Sequence, residues 1–167
     1  KAVSDKVAHI SLQDDYEGVS SKISEFVSTY NNSIDLFEDN FRRFFYIYLC
    51  QYYIKRHNVI EYERNYKILR SIAYDKWLPM EFYGQIIYYF HCNELDKIPI
   101  ELQKLKIALE TEQNITLEIA MNVLYATYFR RLGLLEKAIE HHTRSMELWK
   151  NNNDEINYAG SAGNVAW

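Results

Sequence analysis

Chain breakers are scarce in this sequence, whose 167 residues include five Gly and two Pro. A sandwich or barrel of this length would need many more turn residues, so the shortage points to long helices joined by short turns. Cysteine is as rare. Cys50 and Cys92 cannot staple a domain of this size, and both lie in apolar helical stretches where a reduced thiol acts as a small hydrophobe. No apolar run reaches the roughly 18–20 residues of a membrane span. The most apolar stretch, FRRFFYIYLCQYYI from Phe41 to Ile54, is too short and is bounded by Lys55 and Arg56, so it reads as a buried helix. Charge of one sign is also missing: the net charge is −4 with acids and bases interspersed, which argues against nucleic acid as a partner of this segment.

Enzyme signatures are absent as well. The chain has no G-x-S-x-G, no Gly-rich phosphate loop, no H-x3-H and no C-x2-C. His141 and His142 are adjacent on a helix and project in different directions, so they do not form a metal pair and read as structural. Glu136 and Glu140 with Lys137 and Arg144 read as helix-surface ion pairs, not as catalytic acids. The expectation is therefore no catalysis, no cofactor and no metal. The opening KAVSDKVAHI has neither an initiator Met nor an apolar leader, as expected of a processed terminus or of a piece of a longer chain.

What the chain does have is 48% hydrophobic and 25% charged residues, a globular balance, and fifteen Tyr, which suit a thin fold with much half-covered surface. Helical periodicity divides it into pairs. A first pair runs from Lys1 to Tyr30, with Asp14 and Asp15 at its turn. A second runs from about Asp35 to Ala73, capped by Ser33 or Asp35, with Ile60, Tyr62, Tyr66, Leu69 and Ile72 along one face of its second helix. His57 and Asn58 occupy its turn. The third spans Pro79 to Glu110. It opens with Pro79 in a first turn, reverses at Asn93, and has Asp96 as a cap with Pro99 in the first turn of its second helix. Thr116 is the cap expected for the fourth pair. There Leu124, Tyr125, Tyr128, Phe129 and Leu132 precede Gly133, and Leu135, Ala138, Ile139 and Leu148 follow it. Asp14, His57, Asn93 and Gly133 recur roughly forty residues apart, the spacing of helix-pair arrays.

The fourth pair carries a more specific pattern. With Ile119 as first position, Ala126, Phe129, Gly133, Ala138 and Ser145 fall where the tetratricopeptide repeat wants small, aromatic, glycine, alanine and small residues, and the segment resembles that family. Lys150 stands where the family often has proline, and Asn122 where it has an early tryptophan. YAGSAGNVAW, from Tyr158 to Trp167, resembles the opening helix of a fifth repeat. The resemblance implies an all-α, right-handed α-α superhelix of about four helical hairpins plus a partial fifth, forming one TPR-like domain over residues 1–167.

In the family the inner helices line a groove. Carried over to this chain, that resemblance makes Lys55, His91 and Arg131 a cationic row, with Arg130 beside it and Tyr83, Thr127 and Asn164 as neighbours. The implied function is non-catalytic binding of a protein or peptide, including one that bears acidic groups, in a cytoplasmic setting. The alternative is the signal-peptide-sensing domain of a bacterial regulator that lacks its output domain here. Homo-oligomers through exposed repeat ends are a further expectation.

Overall fold

The computed structural model describes residue 25 and residues 28–30, 32–73, 78–111 and 114–152. Among these the protein is all-α, without strands, and its helices pack as sequential hairpin-like pairs. The chain divides into two compact units, Lys1–Trp77 and Leu78–Trp167.

In the first unit, a 3-10 turn at Ile34–Leu36 leads into α1 (Asp39–Lys55), which packs against α2 (Val59–Ser71). The expected cap at Ser33 or Asp35 is corrected. Helix α1 starts later, after Glu38, and Ser33 makes no capping bond, because the 3-10 turn intervenes. The aromatic stretch forms the expected buried helix: Phe45 to Gln51 are buried consecutively, so α1 is covered on every side there. Tyr62, Leu69 and Ile72 are buried as expected, but Ile60 is 79% exposed, because it lies in the first turn of α2 outside the face that packs.

The second unit contains α3 (Pro79–Cys92), a 3-10 turn (Leu95–Lys97), α4 (Ile98–Thr111), α5 (Ile115–Arg131) and α6 (Leu135–Asn151). Pro79 opens α3 as the sequence predicts, and the Glu81 carboxylate accepts the Leu78 N–H at 2.8 Å, which ties down the helix start. Pro99 sits in the first turn of α4, where it forfeits no helical bond. Asp96 does not cap that helix but lies within the 3-10 turn. Asn114, not Thr116, caps α5: its Oδ1 accepts the Leu117 N–H at 3.1 Å. The core is built by Ile86 and Phe90 of α3, Ile98, Leu102 and Leu105 of α4, and Leu124 of α5.

Three hairpin turns share one construction. His57, Asn93 and Gly133 have φ of 58°, 57° and 74°. In each turn this residue's N–H bonds to the carbonyl three residues back. The next N–H reaches five back, as Asn58 to Tyr53 (3.0 Å), Glu94 to Tyr89 (2.9 Å) and Leu134 to Phe129 (2.9 Å). This is the Schellman closure, which satisfies helix-end carbonyls and requires a left-handed residue. The predicted equivalence of the turns thus appears in the backbone at 57, 93 and 133, while Asp14, all of the first pair except residues 25 and 28–30, and the fifth pair lie outside the described residues.

On α6, Ala138, His142, Ser145 and Leu148 are buried. Leu135 and Ile139, expected on the apolar face, are 61% and 47% exposed, because their row lies to one side of it, and Leu132 is exposed too. The ion-pair expectation is also corrected: Arg144 pairs with Glu147 at 3.4 Å, and Lys137 lies 5.4 Å from the Phe129 ring centroid. Neither cysteine is in a disulfide; Cys50 is buried and Cys92 partly so.

Candidate functional site

Helices α3 and α5 touch directly, although α4 lies between them in sequence. Their contact continues to the C-terminal ends, where the Arg131 guanidinium carbon lies 5.9 Å from the Phe90 ring centroid. His91 follows Phe90 and is exposed, and Arg130 and Arg131 are exposed in the last turn of α5. Cations at a helix C-terminus are favoured by the dipole, so local energetics alone keep them there. Neither arginine forms an ion pair among the described residues. An anionic group arriving at this end would meet the Arg131 guanidinium over the Phe90 ring, with Arg130 in the same last turn but near enough to His142 of α6 to repel a charge there.

The structure brings some of the expected groove residues together. Tyr83 is half-buried against the second unit's core, on the helix whose last turn carries His91. Thr127 lies on α5 one turn before Arg130 and Arg131, but its hydroxyl donates to the Val123 carbonyl at 2.8 Å and is spent within its own helix. Lys55 is exposed at the end of α1, in the other unit. Asn164 lies outside the described residues.

Two features are not legible in the sequence. One is a polar contact between α5 and α6, in which His141 Nδ1 lies 3.1 Å from Oδ1 of buried Asn122. The His141 ring stacks on Tyr125 and Phe129, with centroids 4.7 and 5.5 Å away. Asparagine at the position where a TPR has its tryptophan was the only hint. Burial pushes the proton affinity of both His141 and His142 down and holds the Tyr125 phenol above its usual range. The other is a pocket of about 600 Å³ where α4 meets α5, with Leu109, Ile115 and Met121 among its lining and Lys106, Glu110 and Glu118 as its charged groups. It shares no residue with the face at the ends of α3 and α5.

Among the described residues, no group of His, Cys, Asp and Glu could hold a metal ion, and no helix is long and apolar enough to cross a membrane. No protein-family model, curated protein or solved structure matches this chain.

Proposed function

We propose that this chain is a non-catalytic binding module of TPR-like helical repeats, in which α3 and α5 are the inner helices of consecutive repeats and their C-terminal ends bind a carboxylate-bearing peptide or protein segment. The observation that carries the reading is the direct α3–α5 contact ending at Phe90 and Arg131. Inner helices of neighbouring hairpins touch in a stacked array. The shared closure at His57, Asn93 and Gly133 supports the same view.

Arg131 and Arg130 supply the charge, and the Phe90 ring supplies a flat apolar edge that holds the Arg131 fork in place. A hydrogen bond to a charged group contributes about 1.5–3 kcal/mol, so replacing Arg131 should weaken an acidic peptide roughly 10- to 100-fold. The test is fluorescence anisotropy with a library of labelled acidic peptides, using the wild type and Arg131→Glu. A peptide that binds the wild type, loses affinity to the variant and weakens with salt supports the proposal. Equal affinity of every bound peptide for both proteins, with unchanged helicity, refutes it.

A further inference from the structure

His141 and His142 are neighbours on α6 in very different surroundings. The His141 ring lies nearly parallel to Tyr125 and Phe129, at interplanar angles of 12° and 22°. Asn122 presents its Oδ1 to His141 Nδ1, because its own Nδ2 donates to the Glu118 carbonyl at 3.0 Å. An amide oxygen only accepts, so the proton sits on Nδ1, and this bond survives whether His141 is neutral or charged. Aromatic faces also tolerate a cation. Burial still lowers the proton affinity of His141, so acid costs it something, but its bond to Asn122 is kept in both states.

His142 has no such provision. It is 5% exposed, and its Nδ1 is buried with no hydrogen-bond partner. As a neutral ring it leaves only a lone pair unsatisfied. As an imidazolium it would bury a charge and an N–H donor with nothing to accept it.

We propose that His142 is an acid-sensitive latch within the α5/α6 hairpin, and that its protonation loosens α6 from α5. Among the described residues, the titratable and charged groups acting on the two histidines are Arg130 and Tyr125 of α5 and Glu140 of α6. Arg130 repels a charge on His142, Glu140 favours one on His141, and Tyr125 stays neutral through burial. The lowered proton affinity of His142 has burial as its first cause, then Arg130, then His141, all in one direction. Its folded-state value lies below the unfolded value of about 6.5, so the hairpin's stability is complete above that pH and is lost as pH falls through the lowered value. The latch does not depend on what the neighbouring helix ends bind.

Hydrogen exchange of the full chain at pH 7.5 and 5.0, corrected for intrinsic rates, tests this against His142→Phe, which keeps a ring but no titrating nitrogen. In the wild type, the backbone amides of α6 should lose protection about tenfold at pH 5.0, a change of about 1.4 kcal/mol, while those of α4 keep theirs. The variant, which keeps only His141, should lose clearly less α6 protection at pH 5.0 than the wild type. Unchanged wild-type protection at pH 5.0, or the same loss in the variant, overturns the latch. Should the variant not fold, the His142 ring resonances of the wild type decide: titration below 6.5 together with α6 opening supports the proposal, and titration at or above 6.5 overturns it.

Discussion

Replacing Gly133 isolates the strain of a left-handed turn from the cost of a collision. Its φ is 74°, and a Cβ built there meets no atom within 4 Å. Any loss of stability must therefore come from the backbone. A side chain in the left-handed region costs about 1–2 kcal/mol. Removing glycine's freedom in the unfolded chain returns about 0.4–1 kcal/mol. Gly133→Ala should then lose about 0–1.6 kcal/mol net. Valine adds a branched Cβ to the same strain and should lose about 1–3 kcal/mol. Asparagine, although larger than alanine, tolerates this region, as Asn93 does at φ 57° in the preceding turn, so it should lose less than alanine. Equilibrium unfolding in urea, followed by far-UV circular dichroism, gives the order Gly, Asn, Ala, Val from most to least stable. A valine variant as stable as the wild type refutes the left-handed turn, and an asparagine variant worse than alanine shows that contact, not backbone, sets the cost.

Two further substitutions probe the second unit. Leu105 is fully buried in the cluster joining α3, α4 and α5, so Leu105→Ala should cost about 2–5 kcal/mol in the same unfolding assay; a loss below about 1 kcal/mol would contradict that packing. Asn114→Ala deletes the side-chain bond that caps α5 and should cost about 0.5–2 kcal/mol, with increased amide exchange at Leu117, whereas unchanged exchange there would show that the cap contributes nothing.

The turns were legible because their chemistry is local. Gly133 and Asn93 announce a left-handed conformation by residue type, and at the His57–Asn58 turn only the choice between two neighbours was left open. The structure gives the positive φ to His57 and uses Asn58 as the cap of α2, where its Oδ1 accepts the Glu61 N–H at 3.2 Å. Helix starts were harder. Ser33, Asp35, Asp96 and Thr116 are all plausible caps, and which polar residue is used depends on where the preceding chain arrives. Apolarity marked α1 as a buried helix, and periodicity found Tyr62, Leu69 and Ile72 on the buried face of α2. It failed for Ile60, Leu135 and Ile139, since an apolar row shows that a face exists, not that a neighbour covers it. Of the candidate site, the arginines at the end of α5 were singled out by the family resemblance. The approach of Arg131 to Phe90 and the Asn122–His141 contact span many residues of sequence and left no local trace.

The three matched turns also bear on how the chain reaches its fold. Each reversal is settled within about six residues by its own hydrogen bonds, so the two helices of a pair meet after closing a very short loop. Such topologies have low contact order and need no distant segment to nucleate them. Each hairpin can then form on the microsecond scale of helix elements, leaving, within the second unit, the docking of α3/α4 on α5/α6 as the slow step and making its kinetics more sensitive to Leu105 and Phe90 than to any turn residue.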